Sequence, residues 1–327
     1  MIRSVIANAS PARQYDIIVL FNDISEKNQN IIGQAAQGLE NISIRFIRVS
    51  QYFDSEKLFV DQHLSIETYY RLIIPEIMPD YHKILYLDCD MVVDHDVAEL
   101  FDLDLGKCII GAAKDIDVAG QVNLKQNDWG NYATNTLGLD KPYDYFQAGV
   151  LIMDLDGLRK MASSEEMIKL AVSASWRCHD QDVLNMICKD RVFYIPQQWN
   201  VLMSWEEPGR SRMQIMKMAP RALYGEYIKA RKEPYMIHFA GYQKPWDVVD
   251  CDFAEYFWKY AKLSPYYEML LRRIRRSFAD ELENPIPSRK VEQMGNAPMI
   301  RRVANRLLPF GSRRREMIKR VYKTMWK

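Results

Sequence analysis

The stretch "KILYLDCDMVV" (residues 83–93) decides the fold prediction, because it sets two acidic residues at the end of an apolar run. Such a run is typical of a buried strand. Asp88 and Asp90 are separated by one residue. Since successive strand residues alternate between faces, both side chains are expected to point the same way. Together they are able to hold one hard cation such as Mg²⁺ or Mn²⁺. The alternative is that they only end the strand and cap the helix that follows.

Segments of strand character and helix character alternate along the chain. The strands are predicted at residues 15–21, 42–49, 83–93, 107–115, 145–155 and 234–241. The helices are predicted at residues 25–39, 65–78, 94–105 and 179–190, with further helix from Cys251 onward. Residues 116–143, which contain three glycines and a proline, are predicted to form a long loop. This alternation predicts an α/β fold with a parallel or mixed sheet between helices.

Composition predicts a globular protein of the cytoplasm. The 327 residues suffice for one large α/β domain with an accessory segment, and 48% are hydrophobic. No apolar run approaches the roughly 20 residues of a membrane span, and no signal peptide is recognisable. The five cysteines show no CxxC or zinc-like spacing, which is typical of reduced thiols.

Charge is distributed unevenly along the chain. Residues 265–327 hold 16 Lys/Arg and 6 Asp/Glu, a net charge of +10, whereas the remainder holds 28 and 37, a net charge of −9. The basic segment therefore favours an anionic partner, which is either the body of the protein itself or an external surface such as phospholipid or nucleic acid.

The acidic pair alone fits two classes of enzyme. Phosphatases of the haloacid dehalogenase type carry a strand-end DxDx[TV], which "DCDMV" satisfies, with the first Asp as nucleophile. Metal-dependent nucleotide-sugar transferases carry DxD as a clamp for a metal and a diphosphate. Further motifs follow along the chain, namely "YFQAGVLIMDL", "HDQDVLN", "IPQQWNV" and "HFAGYQKPW".

These motifs, in this order from about Ile6 to Tyr267, closely resemble the family-8 glycosyltransferases, in the branch of bacterial lipopolysaccharide sugar transferases. The resemblance implies a GT-A fold, which is a Rossmann-like mixed sheet flanked by helices, here followed by a helical basic extension. It also implies retaining transfer of glucose or galactose from a UDP-sugar to a bacterial surface glycan such as lipopolysaccharide or another polysaccharide. A dehalogenase-type enzyme would carry its acidic pair near the first strand, so the phosphatase becomes the lesser alternative.

The resemblance also assigns the site residues. It implies a metal site for Mn²⁺, with Mg²⁺ as the alternative, formed by Asp88, Asp90 and His238. It implies catalytic roles near the sugar for Asp180, Gln181 and Gln147, the last standing where the family usually has Asn. The implied donor-binding residues are Arg71, Asp88, Ala148, Gly149, Gly241, Lys244 and His63. Within the HxxGxxKPW motif, the lysine would neutralise the diphosphate and the glycine would let backbone approach it.

One departure concerns the beginning of the chain. Family members open with a strand whose Asp holds the uracil, followed by a helix whose end resembles "SVIANA". This chain opens at "MIRSVIANAS", inside that helix, so the first strand and its Asp are absent from the sequence. We expect either a start at an internal methionine or, as the rival interpretation, a truncated non-catalytic remnant of the family.

The sequence predicts two regions, a glycosyltransferase domain at 1–264 and a basic helical region at 265–327. Residues 301–327 carry 10 basic residues and one Glu, with apolar residues at helical spacing. Basic amphipathic segments lie on anionic membrane surfaces, so residues 300–327 predict peripheral association with the inner face of the cell membrane, where a lipid-linked glycan acceptor would be found. Nucleic-acid binding is not predicted, because no reader motif is present.

Overall fold

The computed structural model of the protein describes residues 1–50, 52, 66–124, 127–207 and 210–283, with side chains as far as residue 276. His63 and the basic segment 300–327 lie outside these residues. The described strands are β1 Tyr15–Phe21, β2 Ile42–Arg48, β3 Lys83–Leu87, β4 Met91–Val93, β5 Ile110–Ala112, β6 Val150–Asp154, β7 Val192–Tyr194, β8 Val201–Leu202, β9 Glu206–Glu207, β10 Arg210–Ser211 and β11 Met236–His238.

Helices precede, separate and follow these strands. The described α-helices are α1 Ile2–Asn8, α2 Glu26–Gly33, α3 Tyr70–Ile77, α4 Val97–Phe101, α5 Ile116–Val122, α6 Trp129–Asn131, α7 Leu155–Met161, α8 Ser164–Val172, α9 His179–Cys188, α10 Arg212–Met216, α11 Arg221–Ala230, α12 Ala254–Ala261 and α13 Tyr267–Glu283. Short 3₁₀ turns lie at Gln34–Ala36, Ile66–Tyr69, Pro142–Asp144 and Gln197–Asn200. None of the described helices is both long enough and apolar enough to cross a bilayer.

Two mixed sheets form the centre of the fold. One has the strand order β3-β6-β5-β7, in which β6 runs antiparallel to both β3 and β5 while β7 is parallel to β5. The other has the order β4-β11-β8, with β11 antiparallel to β4 and parallel to β8. A separate parallel pair is formed by β1 and β2. Residues Val150–Met153 of β6 are fully buried, as expected of a central strand with helices on both faces.

The predicted single strand at residues 83–93 is wrong in one respect, because the chain forms two strands there. β3 pairs with β6, whereas β4 pairs with β11 in the neighbouring sheet. The acidic residues occupy the step between them, where the Asp88 N–H donates to the Gly149 carbonyl and the Phe239 N–H donates to the Asp90 carbonyl, both at 2.9 Å. The acidic pair therefore lies where the chain passes from one sheet to the other.

The predicted loop at residues 116–143 is also wrong, because much of it is helical. Asp115 precedes α5 and its carboxylate accepts from the backbone N–H groups of Asp117 and Val118, both at 3.0 Å, which is an N-cap. Helix α6 and a π-helical turn at Tyr132–Thr136 follow. The glycine that suggested a helix breaker, Gly120, lies inside α5, where it allows α10 to approach closely.

Gly120 provides a test of this packing. A Cβ atom added there would lie 2.1 Å from the backbone oxygen of Ile215 in α10. The backbone of α10 cannot easily move to relieve this overlap. We expect Gly120→Ala to lower the free energy of unfolding by about 1–3 kcal/mol, as overpacking does. Gly225→Ala in α11 is the matched control, because open space surrounds that position. A helix-interior alanine should there raise the free energy of unfolding by about 0.5–1 kcal/mol.

Urea denaturation of the two variants and the wild type measures both free energies. Equal stability of Gly120→Ala and the wild type would contradict the close contact between α5 and α10.

Candidate active site

Three side chains of metal-ligating type converge at the step between the sheets. Asp88 follows β3, Asp90 precedes β4, and His238 ends β11 opposite Met91 in the antiparallel register. Their ligand atoms all lie within 4.8 Å of one another. His238 Nε2 is 3.2 Å from Asp90 Oδ1 and 3.6 Å from Asp88 Oδ2. The strand pairing thus brings together the three residues that the sequence assigns to a metal.

Each carboxylate of the acidic pair also has a cationic partner. Arg71 Nη2 lies 2.9 Å from Asp88 Oδ1, and Lys244 Nζ lies 2.5 Å from Asp90 Oδ2. Burial alone would raise the pKa of the Asp90 carboxyl, but His238 and Lys244 together hold that pKa well below its ordinary value. Asp90 is therefore ionised at neutral pH, as a metal ligand must be.

These residues fit a divalent cation. Two carboxylates and one imidazole direct their lone pairs into a single space, and such a mixed oxygen and nitrogen set suits first-row metals such as Mn²⁺. The side chains of Asp88 and Asp90 are 21% and 24% exposed, so the ligand atoms remain reachable from solvent, whereas His238 is buried at 2%. A rigid buried ligand and two accessible ones make a site that is open on one side.

Arg71 connects the acidic pair to Asp180. The guanidinium is buried and packs over the Tyr86 ring at 4.7 Å, and its Nη1 donates to the Ala148 carbonyl. Its Nε lies 2.9 Å from Asp180 Oδ2. Arg71 is therefore not a helix-surface arginine, because this side chain lies in the interior between two carboxylates.

Asp180 is a buried acid whose proton affinity is unusual. It lies in the first turn of α9, after the N-cap residue Cys178, and so does not cap the helix itself. Burial raises the pKa of its carboxyl to about 6, against the opposing effects of Arg71 and Thr68. Thr68 donates its hydroxyl to Asp180 Oδ1, and the preceding His179 has a φ of +48°. The carboxyl therefore titrates close to neutral pH.

Gly149 packs against the convergent ligands. A Cβ atom at this position would lie 2.3 Å from His238 Cε1 and 2.9 Å from Asp88 Oδ2. Any other residue would displace two of the three ligands, so glycine is required here by close approach. Gly241, also predicted to bind the donor, has a φ of +111°, a conformation that favours glycine.

The two predicted catalytic glutamines are held by hydrogen bonds. Gln181 Oε1 accepts from the Ala148 N–H at 2.8 Å, and its Nε2 donates to Asp115 Oδ2 at 3.0 Å. Gln147 Oε1 accepts from the Gly149 N–H at 2.6 Å. Both amides thus accept hydrogen bonds from the Ala148–Gly149 backbone, which contacts Arg71 through the Ala148 carbonyl and packs against His238 at Gly149.

Two buried polar residues beside the site, Asp115 and Asn200, were not among the predicted site residues. Asp115, 6% exposed, caps α5 and binds Gln181, and it follows a predicted strand just as Asp88 does, so the strand-end rule would have found it. Asn200, 2% exposed, faces His238 Nδ1 at 3.1 Å. It lies within the "IPQQWNV" motif, but only the fold shows which ligand it contacts.

Most of the chain is similar to known proteins. A family model described as "Glycosyl transferase family 8" matches residues 1–249. The "General stress protein A" of Bacillus subtilis (strain 168) is 26% identical over 256 residues, covering 76% of this chain and 82% of that protein. The "Lipopolysaccharide 1,2-glucosyltransferase" of Escherichia coli (strain K12) is 24% identical over 166 residues, covering 50% of this chain and 44% of that protein.

Among solved structures, galactosyltransferase LgtC in complex with donor and acceptor sugar analogs superposes with a TM-score of 0.58 at 27% identity. The match covers 84% of this chain and 89% of that chain. The predicted fold class, a GT-A-like mixed sheet flanked by helices, is confirmed by this likeness.

The raised pKa of Asp180 predicts a pH dependence of stability. The unfolded carboxyl titrates near 3.8 and the folded one near 6, so the folded state retains its proton while the unfolded state releases one. The contribution of Asp180 to stability is therefore fully present below pH 3.8 and is lost as the pH rises through 6. Two pKa units correspond to about 3 kcal/mol.

We expect the unfolding free energy of Asp180→Asn, relative to wild type, to rise by about 2 kcal/mol between pH 4 and pH 7, because the unfolded carboxyl is already partly ionised at pH 4. Urea denaturation across this range measures the difference, and Asp140→Asn, at an exposed carboxyl, is the control that should show no such rise. A pH-independent difference for Asp180→Asn would contradict the raised pKa.

Proposed function

The chain belongs to glycosyl transferase family 8, and we propose that it is a metal-dependent retaining hexosyltransferase that moves glucose or galactose from a UDP-sugar to a bacterial surface glycan. It is a glycosyltransferase by its family, so the proposal concerns the metal, the donor and the acceptor. The observation that carries it is the convergence of Asp88, Asp90 and His238 within 4.8 Å, beside a lysine.

A divalent cation, Mn²⁺ or Mg²⁺, would be held by Asp88, Asp90 and His238 and would supply Lewis-acid stabilisation of the departing diphosphate. Mn²⁺ is preferred because imidazole is a better ligand for it than for Mg²⁺. Lys244 contributes a second positive charge from the chain itself. Its ammonium donates to Asp90 and to the Phe239 carbonyl, at 2.5 and 2.7 Å, and is only partly buried. A diphosphate arriving at this edge would attract the ammonium and be neutralised by it.

The sugar would lie on the Arg71 side of the acidic pair. Arg71 holds both Asp88 and Asp180 at 2.9 Å, so it fixes the spacing between the metal ligands and the second carboxyl. Asp180 and Gln181 are the groups we assign to the sugar, where a carboxylate favours the positive charge that develops at the anomeric carbon. Gln147 is assigned to the sugar as well. The residues assigned to binding of the donor are Ala148, Gly149, Gly241 and His63.

The acceptor class is supported by relatives whose names state a substrate. One is called a lipopolysaccharide glucosyltransferase, and another is called a galactosyltransferase and was solved with donor and acceptor sugar analogs. The first of these covers only half of this chain. The first name favours a bacterial surface glycan as the acceptor, and the second is consistent with an acceptor that is a sugar.

Release of UDP tests the proposed activity directly. We expect UDP to be released from UDP-glucose or UDP-galactose only when Mn²⁺ or Mg²⁺ is present, and Asp90→Asn to lower the rate on the order of 100-fold or more, as the loss of a group that stabilises developing charge does. Asp80→Asn, at an exposed carboxyl beyond α3, is the matched control and should leave the rate unchanged.

A panel of UDP-sugars with a coupled UDP assay makes this measurement. If no donor yields metal-dependent UDP, the proposed transfer is wrong. Hydrolysis of a generic phosphate ester that Asp88→Asn abolishes, without UDP release, would support a phosphatase in its place.

The proposal also divides the chain into a transferase domain at 1–264 and a basic region at 265–327, in which residues 300–327 bind the membrane. In the described part of this region, α13 exposes Met269 and Leu271 at 57% and 44% beside Arg272 and Arg273. Apolar and basic side chains exposed together favour the surface of an anionic bilayer. Such attachment would keep a cytoplasmic enzyme beside a lipid-linked acceptor at the inner face of the membrane.

Vesicles of anionic phospholipid measure this attachment. We expect the full chain to co-sediment with them, and deletion of residues 300–327 to reduce the bound fraction, because each basic residue near the surface contributes about 1 kcal/mol. Neutral phosphatidylcholine vesicles are the control. Unchanged co-sedimentation after the deletion would show that this segment is not the attachment site.

A further inference from the structure

We propose that Gln147 and Asn200 are positioning residues that set the tautomer and orientation of His238, so that its Nε2 faces the metal position. This inference rests on the proposed metal-dependent transfer. Gln147 and Asn200 lie outside both the acidic pair and the HxxGxxKPW motif. One continuous chain of hydrogen bonds, which starts at a backbone N–H and ends at the imidazole, supports this inference.

The chain of hydrogen bonds begins at Gly149. Its backbone N–H is a donor only, and it points at Gln147 from 2.6 Å. The Gln147 atom that receives it must therefore be the carbonyl oxygen Oε1. This assignment does not depend on distinguishing the two ends of an amide, because the backbone donor decides it.

Asn200 is oriented by the same oxygen. Its amide lies 2.6 Å from Gln147 Oε1, which has a second lone pair and can only accept, so the Asn200 atom facing it must be the amino group Nδ2. The opposite end of the Asn200 amide is then Oδ1, and this oxygen lies 3.1 Å from His238 Nδ1. Asn200 is 2% exposed, so water does not compete for this contact.

The imidazole follows from these two assignments. An amide oxygen can only accept, so His238 Nδ1 must carry a proton and donate it. Nε2 is then the nitrogen that faces Asp90 Oδ1 at 3.2 Å and Asp88 Oδ2 at 3.6 Å. A ring held in this way presents Nε2, and not Nδ1, to a cation between the carboxylates.

The fold explains why Asn200 is available for this task. It ends the 3₁₀ turn Gln197–Asn200 immediately before β8, and β8 pairs in parallel with β11, where Ile237 lies opposite Val201. Continuing this register places Asn200 opposite Met236, two residues before His238, so the side chains of Asn200 and His238 lie on the same face of the sheet. A glutamine at 147 has the reach to bond both the Gly149 N–H and the Asn200 amide, which gives the long amide at this position a physical role.

Two measurements test the proposal on the full-length protein. The first is the long-range ¹H–¹⁵N spectrum of the histidine rings without metal at pH 8, with His238 assigned by its loss in His238→Gln. The expected wild-type ring is protonated at Nδ1, and Asn200→Leu is expected to lose that preference. A wild-type ring protonated at Nε2 alone would overturn the proposal.

The second measurement is the affinity for Mn²⁺ alone, followed by the electron paramagnetic resonance signal of the free ion. Loss of a group that orients a metal-binding histidine weakens metal binding by about 10- to 100-fold, and we expect this for Asn200→Leu and for Gln147→Met. Gln147→Glu retains the accepting oxygen and should restore most of the affinity. The double variant should bind no more weakly than Asn200→Leu, because both changes interrupt one chain of hydrogen bonds.

Gln198→Leu is the matched control. Among the described residues, the side chain of this neighbour in the same turn donates only to the Glu233 carbonyl, at 3.5 Å, so its loss should leave Mn²⁺ binding unchanged. Affinity of Asn200→Leu and Gln147→Met within about threefold of wild type would overturn the proposal. If Asn200→Leu does not fold, Gln147→Met and the wild-type ring spectrum decide the question. If the wild type binds no Mn²⁺, the proposed function fails, while the ring spectrum still tests the hydrogen-bond chain independently.

Discussion

The antiparallel pairing of β4 with β11 is the constraint on which the site depends, because it brings His238, which is distant in the sequence, to the acidic pair Asp88 and Asp90. Strand β3 belongs to one sheet and β4 to the other, so the two aspartates occupy the step between sheets, where side chains are not covered by a neighbouring strand. The register then sets His238 opposite Met91, one residue beyond Asp90. A shift of this register by one residue would turn His238 to the opposite face and separate the three ligands.

The charges around this step are arranged so that two carboxylates can be ionised beside each other. Arg71 and Lys244 each neutralise one member of the pair, and Arg71 also reaches Asp180. Lys244 is partly exposed, so its ammonium can turn from Asp90 toward an arriving anion and neutralise it. Arg71 is buried among its partners and serves to hold the geometry.

The alternation of strands and helices predicted the α/β class, because this signal is local. The family resemblance named Asp88, Asp90 and His238 as one metal site, and the fold brings these three side chains together. The step at Asp88–Asp90 was not predicted, because an apolar run such as "KILYLDCDMVV" does not reveal that its two halves pair with β6 and β11, distant in the chain. The helix α5 was mistaken for loop because Gly120 normally weakens helices, whereas here it permits contact with α10. The contact of Asn200 with His238 depends on strand pairing and has no sequence signal of its own.

The most direct test of the central claim, that Asp88, Asp90 and His238 bind one divalent cation, is the electron spin echo envelope modulation of Mn²⁺ bound to the protein in the presence of UDP. An imidazole nitrogen bonded to Mn²⁺ gives ¹⁴N modulation of the echo. The convergence of ligand atoms within 4.8 Å predicts this modulation in the wild type and its loss in His238→Gln. Bound Mn²⁺ without ¹⁴N modulation in the wild type, or modulation that persists in His238→Gln, would contradict the claim.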